Sequence, residues 1–293
     1  MAYQQLKGTG VALITPFQKN GSVDYPALEK LVHHVIKGGV DFMVALGTTA
    51  ETPTLTPAEK QAILSAIVKY GDGKVPVVCG IGGNNTDEVV HLLKTMDLHG
   101  VDAVLSVTPY YNKPSQEGMY QHFKTVAAVT NKPIILYNVP GRTGSNLLPA
   151  TVLRLAADCK NIVGIKEASG NIVQNMELLQ SKPDDFTVLS GDDNLVLAQM
   201  AIGMEGIISV AANCFTKEVT DMINLAIVGK FEKARKVHYK LLTGLDLLFV
   251  DGNPPGVKYV LSQQGMCSNL FRLPVVPVSD ATAKKLTAFL KNL

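Results

Sequence analysis

An eightfold alternation of short apolar runs and longer amphipathic stretches constrains the fold of this 293-residue chain more than any other feature. Each run is rich in Val, Ile or Leu and ends near Gly, Pro, Asn or Asp, a pattern typical of a buried strand. The stretches between the runs repeat apolar residues at helical spacing, as residues 27–36 illustrate. The strand candidates are 11–16, 41–49, 75–82, 102–109, 133–140, 162–169, 186–193 and 206–213.

This alternation predicts a parallel sheet whose faces are covered by helices. Eight units favour a closed (β/α)8 TIM barrel, which takes about 250 residues, over the alternative of an open doubly wound sheet. Three further helical patterns follow the eighth unit, near 231–250, 255–265 and 280–292. We therefore expect a catalytic barrel over 1–225 and a C-terminal helical region, packed on that barrel, over 226–293.

Composition and spacing argue against several classes of function. The formal charge of +2, without a basic run, makes nucleic acid an unexpected partner. No apolar run is long enough to span a bilayer, and MAYQQLKGTG lacks a secretory signal, so we expect a cytoplasmic protein without a membrane partner. The cysteines form no C-x-x-C pair, the histidines show no ligand spacing, and GIGGNN lacks the last glycine of a dinucleotide loop. We expect neither a metal nor a cofactor.

The sixth apolar run, within NIVGIKEASG (161–170), ends in a lysine. Strand alternation places Lys166 on the same face as Ile162 and Gly164, and chemistry in a barrel collects at the carboxyl ends of its strands. Burial there disfavours an ammonium, lowers the pKa of a lysine from about 10.4, and exposes an amine that attacks ketones. The alternative is a lysine that reaches solvent or pairs with Glu167.

Two other strand ends carry side chains that suit the same chemistry. Thr48 and Thr49 follow the second strand, where hydroxyls and backbone amides can hold a small carboxylate. Tyr137 closes the fifth strand, where a phenol can exchange protons with a reacting group. Each also has an ordinary alternative: the threonine pair could simply cap a loop, and the tyrosine could be a half-buried aromatic with one hydrogen bond.

The loops beyond the strands supply a cation and two aromatics. Arg142 lies on the Pro/Gly turn PGRTG, and its planar guanidinium can bind a carboxylate through two parallel hydrogen bonds. Tyr110 and Tyr111 lie on the loop after the fourth strand, where paired aromatics often mark a contact with substrate or another subunit. A solvated surface arginine is the alternative for the turn.

At these residues the chain resembles the class I pyruvate aldolases, the family that includes N-acetylneuraminate lyase and 4-hydroxy-tetrahydrodipicolinate synthase. The resemblance rests on GTTAETPTL, PYYNKP, YNVPGRTG, GIKEASG and LSGDD, in this order and at barrel spacing. It extends from near residue 8 to the C-terminal helices. Thr48, Thr49 and the arginine of GRTG match the synthase branch rather than the lyase branch, whose usual pattern lacks that arginine.

The resemblance implies a role for each catalytic candidate. Lys166 would form a Schiff base with pyruvate, and Tyr137 would donate and accept protons in a relay with Thr48 and Tyr111. In the family this last tyrosine reaches into a neighbouring subunit's site, so the expected assembly is a homotetramer built as a dimer of dimers.

The resemblance also assigns the substrates. Thr49 and the backbone near Ile208 would hold pyruvate, and Arg142 would meet the carboxylate of L-aspartate 4-semialdehyde. Condensation and cyclisation would then give 4-hydroxy-tetrahydrodipicolinate, in lysine and diaminopimelate biosynthesis.

A candidate effector site follows from the same resemblance. Feedback-inhibited relatives bind lysine at a dimer interface, and Asn84, Glu88 and Tyr110 match that site. Three other positions depart from the family pattern: Pro53, Pro57 and Lys60. Because an ammonium at position 60 would repel the effector's own cation, we expect weak inhibition by lysine or none.

Three alternatives remain open from the sequence. A pyruvate lyase acting on a sugar acid would share the lysine and the tyrosine but would not need the arginine. A metal-dependent aldolase would lose activity after chelation. A catalytically silent barrel would show no pyruvate-dependent chemistry.

Overall fold

A computed structural model describes residues 6–293, in which eight parallel strands close into a barrel in chain order. The strands are β1 (Gly8–Ala12), β2 (Phe42–Ala45), β3 (Val77–Gly80), β4 (Ala103–Val107), β5 (Ile134–Asn138), β6 (Ile162–Glu167), β7 (Thr187–Ser190) and β8 (Gly206–Ser209). The helices are α1 (Tyr25–Lys37), α2 (Pro57–Gly71), α3 (Thr86–Thr95), α4 (Gln116–Ala128), α5 (Pro140–Thr143), α6 (Pro149–Asp158), α7 (Ile172–Ser181), α8 (Val196–Ala201), α9 (Thr216–Ile227), α10 (Phe231–Leu247), α11 (Pro255–Gln263) and α12 (Asp280–Asn292).

Closure of the sheet confirms the predicted (β/α)8 barrel. β1 pairs in parallel with β8, with Gly10 opposite Ile208, so the sheet has no open edge and the doubly wound alternative is wrong. Each of the last seven strands lies within its predicted range, but the first starts at Gly8 rather than at residue 11. The glycine-rich start hid this strand: a Cβ on Gly10 would lie 2.3 Å from the Phe42 ring, so the packing requires a residue without a side chain.

Alternation along the strands divides the core into two layers. Inside the barrel, Phe42, Val44, Leu105 and Leu189 belong to one buried cluster. Outside it, Met43 and its equivalents on the other strands pack against the helices in a second, larger cluster. Since both faces of the sheet are buried, the strands carry the near-continuous apolar runs seen in the sequence.

The pairing of β5 with β6 contains a register shift that changes which residues face inward. Ile134 pairs with Ile162, whereas Ile135 pairs with Gly164, so Val163 is an extra residue in β6. Ile162 consequently packs in the cluster between sheet and helices, and the expectation that it shares the inward face with the lysine is wrong. Beyond the shift, the side chains of β6 alternate between the barrel interior and the helices to the end of the strand.

The three helices predicted after the eighth unit are present as α10, α11 and α12. α10 packs along α9 and α12, and α11 packs against α12 and against the turn that follows β8. α11 packs closely against the end of α10, since a Cβ on Gly256 would lie 2.3 Å from the carbonyl oxygen of Leu248. Within residues 6–293, no helix combines the length and the apolar character needed to cross a membrane.

Candidate active site

A cavity of about 560 Å³ opens at the carboxyl ends of the strands. Its apolar walls come from the barrel interior, including Val44 and Leu105. The polar side chains that line it are Thr48, Thr49, Thr52, Lys60, Tyr110, Tyr137, Arg142, Thr143, Lys166, Asp192 and Asn253. The structure therefore brings together candidates that lie on four different strand ends and loops.

Lys166 lies within this cavity, next to Tyr137 on the neighbouring strand. The two residues are paired across β5 and β6, and the Nζ of Lys166 is 4.4 Å from the centre of the tyrosine ring. Only 5% of the lysine is exposed, and no carboxylate within residues 6–293 forms an ion pair with it. A lysine that reaches solvent or pairs with its neighbour, the alternative left open by the sequence, does not fit these observations.

Glu167 faces away from the cavity, into a polar network behind the sheet. Its carboxylate accepts hydrogen bonds from Asn138 Nδ2 at 3.0 Å and from the backbone N–H of Ser169 at 2.7 Å, and Gln174 Nε2 lies at 3.4 Å. Burial raises the pKa of this carboxyl, while these donors act in the opposite direction. The strand thus separates the glutamate from the lysine that precedes it.

Gly191, just beyond β7, makes the room that Lys166 occupies. A Cβ at this position would lie 2.9 Å from the lysine Cε and 2.5 Å from the Cβ of Ala168. Gly164, in the same strand as the lysine, lies against the next strand, where a Cβ would meet the carbonyl oxygen of Thr187 at 2.6 Å. The course of the lysine side chain therefore depends on a glycine from a different strand.

The threonine pair lies on a 3-10 turn, Thr48–Ala50, directly after β2. Thr48 is exposed to the cavity, whereas Thr49 is buried and its Oγ1 accepts a hydrogen bond from Asn253 Nδ2 at 3.0 Å. The side chain of Asn253 reaches this turn from the segment between α10 and α11. Both threonines line the cavity with the lysine, as the sequence predicted.

Arg142 lies on α5 and also lines the cavity. Its guanidinium forms no ion pair with any carboxylate of residues 6–293. The helix beneath it is held by Thr143, whose Oγ1 donates to the carbonyl oxygens of Val139 and Ser145 at 3.2 and 2.9 Å. The arginine is therefore available for an anion that enters from outside.

Two of the predicted catalytic and substrate-binding residues do not line this cavity. Tyr111 is 88% exposed and adopts a left-handed backbone conformation with φ of 70°, which is unusual for a bulky residue. Ile208 is fully buried in the barrel interior, two residues before Val210, which does line the cavity. The structure brings the backbone that follows Ile208 to the site, but not the side chain of Tyr111.

The candidate effector residues are divided between two places. Tyr110 lines the cavity, together with Lys60 and Pro53. Asn84 and Glu88 lie outside its lining, near the start of α3, where the carbonyl oxygen of Asn84 accepts a hydrogen bond from a neighbouring loop at 2.9 Å.

Two neighbouring carboxylates, which the sequence did not identify as site residues, lie beyond β7. Asp192 lines the cavity; burial raises its pKa to about 6, against the attraction of Lys166, and its Oδ2 has no hydrogen-bond partner among residues 6–293. Asp193 is buried and accepts hydrogen bonds from Ser209 Oγ and from the backbone N–H groups of Val210 and Ala211. Asp193 therefore fixes the turn after β8.

The sequence signals for these missed residues differ. The GDD motif at a predicted strand end marks Asp192 and Asp193 once the barrel rim is taken as the site. Asn253 and Phe249, which also lines the cavity, lie in the C-terminal helical region, where no pattern indicates which barrel loop they meet. Among residues 6–293 there is no group of three or more His, Cys, Asp or Glu side chains placed to hold a metal ion.

This arrangement places an amine, a phenol, hydroxyls and a guanidinium around one partly enclosed space. A buried amine can add to a ketone and form an iminium, which withdraws electrons from the adjacent carbon. A phenol in contact with it can move protons, and the guanidinium can hold a carboxylate. The geometry suits carbon–carbon bond formation between small carboxylic acids.

Comparison with known proteins gives one family over nearly the whole chain. A family model described as the dihydrodipicolinate synthetase family matches residues 5–293. The 4-hydroxy-tetrahydrodipicolinate synthase of Flavobacterium psychrophilum is 52% identical over 290 residues, which cover 99% of each chain.

Solved structures agree with this match. The crystal structure of dihydrodipicolinate synthase from Aquifex aeolicus has a TM-score of 0.95 and 43% identity, and the alignment covers 98% of this chain and 97% of that one. A monomeric dihydrodipicolinate synthase variant has a TM-score of 0.96 and 41% identity, and the alignment covers 99% of this chain and 97% of the variant.

The raised pKa of Asp192 predicts a specific effect of pH on stability. Because the pKa is 3.8 in the unfolded chain and about 6 in the folded protein, the folded state binds the proton more tightly, and the free energy of unfolding falls as pH rises between these values. Asp192→Asn should remove this loss, which amounts to at most about 3 kcal/mol. Urea unfolding at about pH 4 and about pH 7 measures the difference from wild type.

The exposed carboxylate of Asp184, in the loop before β7, provides the control. Asp184→Asn should keep the pH dependence of the wild type. An identical pH dependence in Asp192→Asn and wild type would contradict the assignment.

Proposed function

This chain belongs to the dihydrodipicolinate synthetase family, and we therefore infer that it condenses pyruvate with L-aspartate 4-semialdehyde, with Lys166 as the reacting amine. It is an enzyme of the class I aldolase type, and its reaction yields 4-hydroxy-tetrahydrodipicolinate and water in lysine biosynthesis. The observation that carries the assignment of the amine is its position, buried beside Tyr137 in the cavity and without a carboxylate partner within residues 6–293.

We propose that the first half of the reaction takes place between Lys166 and Tyr137. The amine adds to the keto carbon of pyruvate, the carbinolamine loses water, and an iminium forms. Loss of a proton from the methyl group then gives an enamine, because the iminium accepts the electron pair of the broken C–H bond. The tyrosine lies against the amine and is placed to carry the protons of these steps, and Thr48 lines the same cavity.

The turn after β2 supports the binding of pyruvate. Thr49 Oγ1 is held by Asn253, and both threonines face the space above the lysine. Hydroxyl and backbone N–H groups there can donate to the carboxylate of pyruvate. The turn after β8, which is fixed by Asp193 and whose Val210 lines the cavity, is placed to support the same substrate.

The second half of the reaction needs a cation for the semialdehyde. Arg142 lines the outer part of the cavity without an ion-pair partner among the described residues, so its guanidinium suits that substrate's carboxylate. The enamine carbon attacks the aldehyde, and the amine of the semialdehyde then adds to the iminium carbon. This last step closes the ring and releases the lysine amine, so the enzyme is regenerated.

Reduction with borohydride in the presence of pyruvate tests the assignment of Lys166. Hydride should trap the iminium as a stable secondary amine, and peptide mass mapping should place the added mass on Lys166. Lys166→Ala should give no adduct and should lower kcat by at least about 1,000-fold. Lys160→Ala, which removes an exposed lysine two residues before β6, is the matched control. An adduct on another lysine would overturn the assignment.

Replacement of Arg142 should separate the two substrates. In Arg142→Met the value of kcat/KM for the semialdehyde should fall by about 100-fold or more, because the substrate carboxylate loses its cation. The rate of pyruvate adduct formation should change by less than about threefold, since pyruvate binds before the arginine is needed. Arg235→Met, on the exposed face of α10, is the control. Equal damage to both steps would count against this role.

We further propose that the active enzyme is a homotetramer built from two dimers, in which Tyr111 enters the site of its dimer partner. The side chain is 88% exposed and is held outward by a left-handed backbone, so it cannot serve the cavity of its own chain in this conformation. Co-expression of Lys166→Ala with Tyr111→Phe subunits tests the arrangement. With equal expression about half of the dimers should be mixed, and one of the two sites in each has both residues, so about a quarter of all sites should be active. Absence of recovery would refute a shared site.

Inhibition by lysine should be weak. Lys60 lines the cavity beside Tyr110, without an ion-pair partner in the described part of the chain, so its ammonium opposes a cationic effector. Activity in about 1 mM L-lysine should stay within about twofold of the uninhibited value. Lys60→Met should strengthen any inhibition, because it removes the repelling charge. A tenfold loss of wild-type activity at this concentration would disprove the proposal.

A further inference from the structure

A completely buried ion pair joins the C-terminal helices to the turn that carries the threonine pair. Lys258, on α11, places its Nζ 2.5 Å from Oε1 of Glu51, and neither side chain is exposed. Glu51 directly follows the turn Thr48–Ala50. The C-terminal region is therefore tied to this turn, next to the site at which pyruvate is proposed to bind.

The segment that Lys258 holds has an unfavourable backbone. Glu51 has φ of 53°, and Leu46, on the other side of the turn, has φ of 56°. Left-handed backbone is unfavourable for residues with a Cβ and persists only where surrounding contacts fix it. At Glu51 those contacts come from the C-terminal region, since Oε2 also accepts a hydrogen bond from the backbone N–H of Arg272 at 3.2 Å.

Arg272 fixes the far end of the same segment. Its guanidinium donates to both oxygens of Glu59, at 2.5 and 2.8 Å, and to the carbonyl oxygen of Thr54 at 2.9 Å. This contact lowers the pKa of Glu59 to about 2. Glu59 in turn forms the capping box of α2 with Thr56. Residues 51–59 are therefore bound to the C-terminal region at both ends.

A buried ion pair of this kind is poorly explained by stability alone. Removing two charges from water costs about as much as their attraction returns, and an apolar pair of similar size is often as stable. Burial lowers the pKa of Lys258, while the neighbouring carboxylate of Glu51 opposes this effect. What an ion pair adds over apolar packing is a defined direction and distance between two chain segments.

We propose that Glu51 and Lys258 are positioning residues that hold the turn Thr48–Ala50 in the geometry required to bind the carboxylate of pyruvate. The inference rests on the proposed function. Asn253, from the same C-terminal region, donates to Thr49 Oγ1 and so also holds the turn in place. The C-terminal helices thereby determine the affinity for the first substrate while contributing nothing to the reacting atoms.

The test separates pyruvate binding from use of the second substrate. The double variant Glu51→Gln/Lys258→Met removes both charges, so that no buried charge is left alone. The concentration of pyruvate that gives half-maximal borohydride trapping on Lys166 should rise by about tenfold or more, since small displacements of binding groups carry large costs. The KM for the semialdehyde should change by less than about threefold.

Two further variants keep the test decisive. Glu117→Gln/Arg154→Met removes an exposed pair between α4 and α6 and should leave both values unchanged. Glu51→Asp keeps the charge, so folding is preserved, but its shorter side chain cannot reach both Lys258 and Arg272. It should also weaken pyruvate trapping, with thermal unfolding and circular dichroism near those of wild type.

The outcomes distinguish the two proposals. A folded Glu51→Asp protein or double variant that traps pyruvate as the wild type does would overturn the positioning role. An equal rise in the KM values for both substrates would also overturn it, because it would indicate a general loss of structure. Wild-type protein that forms no pyruvate adduct would overturn the proposed function itself.

Discussion

The environment of one buried amine determines how the rest of the site is built. Enclosing a lysine in a barrel without a contacting anion is unfavourable. Around Lys166, the nearby carboxylates are engaged elsewhere: Glu167 by amides behind the sheet, and Asp193 by the turn after β8. Asp192 faces the cavity, where burial raises its pKa to about 6 against the attraction of Lys166. No carboxylate of residues 6–293 lies within ion-pair distance of the amine, which leaves it accessible to a ketone.

The register between β5 and β6 fixes the position of Lys166 relative to Tyr137. Lys166 and Tyr137 are cross-strand partners, so their separation follows from the hydrogen bonding of β5 with β6 rather than from flexible loops. The polar network behind these strands, in which Asn138 binds Glu167 and the backbone of Leu147, fixes their ends against the following loop. Residues that do not face the cavity therefore contribute to the position of those that do.

The sequence predicted the parts of the structure that depend on local pattern and on barrel topology. Strands buried on both faces show as apolar runs, and closure places their ends at one rim, so Lys166, Tyr137 and the threonine pair could be grouped in advance. The inward face of Ile162 was predicted wrongly because a one-residue register shift leaves no sign in a single strand. Asn253 and Lys258 could not be placed, since a helical pattern indicates its buried face but not the distant loop that it contacts.

The inner and outer halves of the cavity are built from different elements of the fold. The inner half, around the amine, is built from strand positions that cannot move without disturbing the sheet. The outer half is built from loops, and the turn after β2 is held by a buried pair, Glu51 and Lys258, that lies outside the barrel strands. Loops can change while the sheet is preserved, which is how one barrel supports many substrates. Since the proposed pyruvate contacts lie on such a turn, this part of the site requires an added constraint, and the C-terminal helices provide it.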